Sequence, residues 1–285
     1  MRVCIFSFSQ TGNTEKVARA IREWMAHEVG HCDLLRLEDS DPAIAERHDL
    51  VGVGAPAFYF REPANVRDFL VGMPDFRAKP KPFFFFVTHG GTPGAVFSRI
   101  HGLAKARGLA LLDFYQCLGY DSYPPFAGRI PPSGFSHPND EDLDRARSFA
   151  SGVLSKANGF LLNGTFVSPR IPGSAPSKVI SSLFDRRGLR FMMRHGLLPR
   201  KRVLAERCTQ CGLCVENCPE GIIRLTPFPV IDESHCIACY QCQRICPENV
   251  YDCDWRLVKL LTGEYLTELI GKIRYPDYKT RFSKH

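Results

Sequence analysis

Eight cysteines in the last third of the chain fall into two copies of one spacing. The first is Cys208, Cys211, Cys214 and Cys218 followed by Pro219, and the second is Cys236, Cys239, Cys242 and Cys246 followed by Pro247. The echo extends beyond the thiols, with Cys-Pro-Glu-Gly-Ile-Ile in the first copy matched by Cys-Pro-Glu-Asn-Val-Tyr in the second. Thiolates at every third residue wrap a tight loop around one corner of a metal–sulfur cubane. Zinc also takes four cysteines, but its sites usually separate two C-x2-C pairs by a longer loop. The spacing therefore points to iron–sulfur clusters and one-electron chemistry. Of the other cysteines, Cys4, Cys32 and Cys117 sit on or beside strand-like runs and Cys253 lies outside both copies. All four read as buried or incidental thiols.

A second set of chemistry-bearing residues opens the chain. The apolar run from Val3 to Phe8 turns at once through Ser9, Gln10, Thr11, Gly12, Asn13 and Thr14 into a run with Val17, Ala20, Ile21 and Trp24 at helical spacing. A strand-to-helix turn presents backbone N–H groups and the positive end of the helix dipole. Gly12 permits close approach of a ligand, and the loop holds short polar side chains but no lysine. An NTP-binding loop needs a lysine to reach the outer phosphates; a monophosphate held by neutral donors fits better.

The elements that must position these groups follow from patterning. Further strands are expected at Asp33–Leu37, Leu50–Gly54, Phe83–Thr88 and Leu109–Cys117, with helices near Pro63–Val71, Gly94–Arg107 and from Pro138 through Val153. Strands alternating with helices predict an α/β fold, a doubly wound parallel sheet. Nine of the twelve cysteines crowd into residues 208–253, which marks a second, small α+β module. The expected organisation is a first domain over 1–157, a basic, partly helical connector over 158–202, a cluster module over 203–253, and a helix and tail over 254–285. The helix of the connector is read from Val179, Ile180, Leu183 and Phe184 toward Phe191, Met192 and Met193, after an extended start at Pro169, Pro172, Gly173 and Pro176.

Composition excludes other classes. At 44% hydrophobic and 24% charged the chain is neither disordered nor fibrous. Its longest apolar run is strand-sized, far from the ~20 residues of a membrane span, and its start lacks a signal-peptide pattern. Dense cysteine without a secretory leader implies metal or redox chemistry in the cytoplasm. Ten Lys or Arg residues between Arg170 and Arg207 face only Asp185 and Glu206; this segment accounts for all of the formal charge of +7, leaving the rest slightly acidic. Such a patch fits an acidic protein partner or an anionic membrane surface, with nucleic acid the least expected, and equally a solvated connector whose helix docks one domain on the other.

The first loop resembles that of flavodoxins, whose pattern (Ser/Thr)-x-Thr-Gly-x-(Ser/Thr) is met at every position from Ser9 to Thr14. That resemblance implies FMN, with its phosphate on this loop. Its ring would lie between two later loops, here Ala55, Pro56, Ala57, Phe58, Tyr59 and Phe60, and His89, Gly90, Gly91, Thr92, Pro93 and Gly94. Phe58 or Tyr59 is expected against the ring, and His89 reads as a structural hydrogen-bonding residue rather than a redox one. Flavodoxins are typically acidic, and this chain is not. The cysteine runs resemble bacterial two-cluster ferredoxins, in which the fourth cysteine of each run ligates the other cluster. The resemblance implies one 4Fe–4S cluster on Cys208, Cys211, Cys214 and Cys246 and another on Cys236, Cys239, Cys242 and Cys218.

The whole chain thus resembles flavodoxin–ferredoxin fusion proteins, also called EFR-type ferredoxins. They imply an electron-transfer protein that passes electrons between FMN and two clusters and on to a redox partner. A flavin-dependent reductase of a quinone or another small acceptor is the alternative, and a redox sensor or assembly factor a third reading. No acid–base pair or nucleophile stands out as catalytic, which favours a carrier over an enzyme.

Overall fold

The apolar runs of the first half become the strands of one parallel sheet. In the structure, a computed structural model that describes residues 1–124, 136–172, 179 and 181–261, these are β1 (Val3–Ser7), β2 (Cys32–Arg36), β3 (Leu50–Pro56), β4 (Lys81–His89) and β5 (Leu109–Leu118). They pair in the order β2-β1-β3-β4-β5, every pair parallel. β1, β3 and β4 are buried along almost their whole length, because helices cover both faces of such a sheet. Helices α1 (Asn13–Val29), α2 (Ala64–Gly72), α3 (Val96–Ala106) and α4 (Asp140–Asn163) supply that cover. The doubly wound α/β fold read from the sequence is the one observed.

The phenylalanine run of β4 shows why both faces need cover. Successive side chains of a strand point to opposite faces. Phe84 and Phe86 join Val17 and Ile21 of α1 and Ala146 and Ala150 of α4 in one core. Phe83 and Phe85 meet with tilted rings, and Phe85 stacks on Phe114 of β5 and meets Phe97 of α3. Across the ladder, Gly52 and Gly54 stand opposite Phe84 and Phe86, and a Cβ at either glycine would come within 2.3 or 2.2 Å of the facing ring. The two glycines therefore give the rings their space. At the other end of the layer, α4 starts with a reciprocal cap between Asn139 and Asp142, which satisfies two otherwise orphaned N–H groups.

The described residues divide into two compact units, one holding those up to 122 and from 136 to 185, the other holding 123, 124 and 186–261. The second unit contains α5 (Arg186–Arg194), β6 (Arg202–Val203), α6 (Leu213–Glu216), β7 (Ile223–Leu225), β8 (Pro229–Ile231), α7 (Gln241–Ile245), β9 (Tyr251–Asp252) and α8 (Arg256–Leu261). Antiparallel pairing joins β6 to β9 and β7 to β8. The helix expected from Val179 toward Met193 is interrupted by turn and bend at 183–185, and α5 begins only at Arg186; Gly173, Pro176 and Ile180 lie outside the described residues, as does the tail beyond residue 261. Among the described residues, no helix is long and apolar enough to cross a membrane.

The glycine–ring packing sets a test. Gly54→Ala should lower the stability of the first unit by about 1–3 kcal/mol through overpacking, and adding Phe86→Leu should recover part of that loss. Urea unfolding followed by Trp24 fluorescence in a Trp255→Phe background measures both; an unchanged midpoint in Gly54→Ala refutes the packing account.

Candidate functional site

Four loops meet at the carboxyl edge of the parallel sheet. In this strand order the chain reverses direction of winding between β1 and β3, and open α/β sheets bind ligands at that switch point. The first loop, Ser9 to Thr14, is fastened there by its own polar side chains. Thr14 Oγ1 lies 2.7 Å from Thr88 Oγ1 in a buried pair. Asn13 Nδ2 donates to Tyr120 O at 3.0 Å, and Ser9 Oγ accepts from Glu15 N at 3.1 Å. Gly12 is left-handed, with φ 88, and nothing lies within 4 Å of where its Cβ would be. The loop thus opens into space in front of α1, with Gln10 half-buried and Thr11 exposed.

The second loop is a strained aromatic turn. Phe58 and Arg61 exchange two backbone hydrogen bonds of 2.9 Å, with Tyr59 and Phe60 between them at φ 49 and φ 65. Positive φ at both central positions marks a type I′ turn, which normally takes Asn or Gly; large aromatic residues there are strained. Ala55 is buried and Pro56 ends β3 at the same edge. Phe58 stands edge-on to Phe8 at 6.0 Å, and Tyr59 stacks on Phe184 at 5.5 Å with 10° between ring planes.

What holds the turn is a buried ion network that the sequence does not advertise. Arg61 and Glu62, side chains 5% and 0% exposed, pair at 3.1 Å, and Arg99 of α3 reaches Glu62 at 2.7 Å. Arg61 also donates to Ser181 O at 3.2 Å. Gly94 completes the clamp: any Cβ there would fall 2.4 Å from Phe60 Cβ, and the next residue, Ala95, donates its N–H to Phe60 O at 2.8 Å. Adjacent opposite charges in Arg-Glu were the available sequence signal, but nothing local marked them as buried.

The third loop, from His89, rises beside them. His89 is buried, its Nδ1 accepts from Gly91 N at 3.3 Å, and burial pushes its pKa down to about 4. It is a neutral structural acceptor that shapes the turn. Gly90 lies against Asp121. Asp121 belongs to a fourth loop that the sequence reading missed, Gly119-Tyr120-Asp121-Ser122, whose start is tied by Gly119 N to His89 O at 3.0 Å. A glycine directly after the fifth strand was its only signal. Cys32 and Cys117 are buried thiols pushed up to about 12, mainly by burial, and Cys4 is raised further the same way. They are chemically inert at neutral pH.

In the second unit the sequence repeat becomes a repeat of backbone shape. Gln210 and Gly212 in the first run, and Ala238 and Tyr240 in the second, all have positive φ. So do Gly221 and Asn249, at matching places after the two Cys-Pro pairs. Each run therefore curls around its thiols and leads into a short helix, α6 or α7. Cys208, Cys211 and Cys214 of the first run line one cavity together with Cys246 of the second, partly open to solvent. The Tyr251 hydroxyl on its wall has no nitrogen or oxygen partner and lies beside Cys214. In the second group, burial and then Cys236 push the Cys239 thiol up to about 12, and Cys218 of the first run also contributes. The N–H of Ala238 points to Cys236 Sγ and that of Val250 to Cys246 Sγ, each at 3.4 Å.

Among the described residues, no three Cys, His, Asp or Glu side chains converge on a single ion position. Thiols ringing a cavity, drawn from both runs, fit a larger body held at its corners. One cation that the sequence reading counted in the basic patch is instead drawn inside. Lys201 is buried, with Nζ 3.3 Å from Cys236 Sγ.

Comparison with known proteins finds similarity over separate parts of the chain. The family described as 4Fe-4S dicluster domain matches residues 207–250. A ferredoxin-like protein in the nif region of Rhizobium leguminosarum bv. trifolii is 38% identical over 53 residues, covering 16% of this chain and 83% of that one. An uncharacterised protein of Methanocaldococcus jannaschii is 26% identical over 145 residues, 50% of this chain and 90% of its own length. A solved flavodoxin from the domain Archaea is similar at 16% identity and TM-score 0.43, covering 55% of this chain and 99% of that structure. The strand order and the cysteine module define a flavodoxin-like domain joined to a carrier of two 4Fe–4S clusters, a protein of electron transfer. Residues 207–250 belong to the 4Fe-4S dicluster domain family.

Two outcomes test the first site. Glu62→Gln leaves two arginines facing an uncharged buried partner and should cost about 3 kcal/mol of stability, seen as a lowered urea midpoint and faster amide exchange in α2 and α3. His89 is neutral in the fold while the unfolded chain binds a proton below about pH 6.5. Its contribution is therefore whole above that pH and lost as pH falls from 6.5 through 4. Between pH 7 and 5 the first unit should lose about 2 kcal/mol from this residue, and His89→Asn should lose correspondingly less; parallel pH profiles for the two proteins count against the assignment.

Proposed function

We propose that this chain relays electrons between an FMN held by its first domain and the two 4Fe–4S clusters of its second, and onward to a redox partner protein in the cytoplasm. The observation that carries the reading is one chain holding both a four-loop edge at the switch point of a flavodoxin-like sheet and a shape-repeated pair of cysteine loops. FMN supplies two-electron capacity taken in single steps, and the clusters supply single-electron steps.

The chain's own residues divide the work. The phosphate is received at the N-terminus of α1 by the backbone of Gln10, Thr11, Gly12 and Asn13, with the Thr11 hydroxyl as side-chain donor. Thr14, Asn13 and Ser9 serve that loop mainly by fixing its shape, since their polar atoms already bond to Thr88, Tyr120 and Glu15. Phe58, Tyr59 and Phe60, following Ala55 and Pro56, form the wall for one side of the ring, and Phe184 backs Tyr59. His89, Gly90 and Gly91 form the close approach at the other side. The strain in the Tyr59-Phe60 turn supports this reading, because strained backbone persists where function selects it.

Cys208, Cys211, Cys214 and Cys246 hold one cluster, and Cys236, Cys239, Cys242 and Cys218 the other. Ligand thiolates from both runs tie the two halves of the module together. The partner is proposed to be acidic. Arg187, Arg190 and Arg194 of α5 recur at helical spacing on the side left exposed while Leu189 and Met193 are buried, a charged face suited to steering an acidic protein.

Anaerobically prepared protein should contain about eight iron atoms and one FMN per chain. Cys211→Ala should lose about four of those irons while keeping the flavin; retention of all eight would overthrow the ligand grouping. Replacing Tyr59 and Phe60 by Asn and Gly keeps the turn type and removes the wall. Flavin dissociation measured by fluorescence should rise at least tenfold, about 1.4 kcal/mol, with cluster content unaltered.

A further inference from the structure

The two copies of the cysteine module differ in charge at several positions, and at one of them the charge is buried against a thiol. Each residue of the second run follows its counterpart by 28 positions, so the counterpart of Lys201 is Pro229. Pro229 lines the cavity of the first thiol group. Lys201 stands correspondingly at the second, 8% exposed, with Nζ donating toward Cys236 Sγ at 3.3 Å. The remaining surroundings are soft and apolar: Nζ is 3.8 Å from Met193 Sδ and 4.3 Å from the centroid of the Tyr240 ring. The Tyr240 hydroxyl is spent on Pro199 O at 2.8 Å. Arg200, the next cation along the chain, is exposed and pairs with Glu233 instead.

A buried ammonium needs a compensating anion, and the acceptor this one has is a cluster-ligand sulfur. We propose that Lys201 raises the reduction potential of the second cluster and so sets it apart from the first. The inference rests on the ligand grouping above, with Cys236, Cys239, Cys242 and Cys218 on that cluster. Four thiolates leave such a cluster with net negative charge, and reduction adds one more electron. A fixed cation in a poorly solvated site stabilises the reduced form more than the oxidised one, and hydrogen bonding to a ligand sulfur acts in the same sense. With one electron in the module, Lys201 favours the state in which the second cluster has gained it and the first has given it up. No proton changes place, since Nζ retains its three. Pro229 has neither charge nor N–H, so the first cluster lacks this contribution.

The test is an anaerobic potentiometric titration of the full-length protein followed by EPR, with iron measured on every sample. Wild type should show about eight irons and two one-electron cluster steps. Lys201→Met should keep its irons while the reduction equilibrium of one step falls tenfold or more, a 59 mV drop for a one-electron couple, and the other step stays in place. Lys201→Arg should return that step toward its wild-type position, and Arg200→Met should move neither. The proposal is overturned if both steps stay where they were, if both move equally, or if Lys201→Met sheds four irons that Lys201→Arg retains, which would make the lysine a structural residue. A wild type without eight irons and two cluster steps would remove the two-cluster reading, and this proposal with it.

Discussion

Thiolate–iron bonds are the constraint on which the second unit depends. One of its buried apolar clusters is Cys214, Ile223, Cys242, Val250 and Tyr251, and two of these five are cysteines proposed above to hold a cluster. A module this short stabilises little by apolar burial alone. The two antiparallel ladders add only two or three residue pairs each. Cys246 lies beside the first three thiols and Cys218 near Cys239, so the proposed cross-ligation would turn two weak half-modules into one body. Metal binding and folding are then the same event.

The first unit meets the opposite problem, since its core is large and its site must still be unusual. Phe83 to Phe86, packed to both sides and accommodated by Gly52 and Gly54, make a sheet rigid enough to hold strained loops at its edge. The Tyr59-Phe60 turn draws on that rigidity. Left-handed aromatic residues cost of order 1–3 kcal/mol each, and Glu62 with its two arginines keeps the segment in place despite that cost. A buried ion network stabilises less than an apolar cluster of the same volume, but it specifies orientation. Here orientation is what the loops require.

Repetition in the cysteine module gives two centres nearly the same backbone, so any difference between them must come from side chains. Lys201 against Pro229 is such a difference, placed within hydrogen-bonding reach of a ligand sulfur. Charge close to a cluster acts strongly because the surroundings are poorly screened. A single buried charge in a unit of repeated backbone shape can therefore give an electron a direction without altering that shape.

Much of this protein was legible in the sequence wherever chemistry or periodicity is local. Two identical cysteine spacings, a Ser-x-Thr-Gly-x-Thr loop after an apolar strand, and strands alternating with helices each depend on residues a few positions apart, and each pointed to the element found. Tertiary structure alone decided which distant groups meet. Glu62 pairs with Arg99 across 37 residues, Asn13 with Tyr120 across 107, and Lys201 with Cys236 across 35. No pattern of spacing marks such pairs, because burial and charge compensation arise only when separate elements pack. The loop after β5 joined the site for the same reason: parallel strands bring all their carboxyl ends to one edge, whatever their separation along the chain.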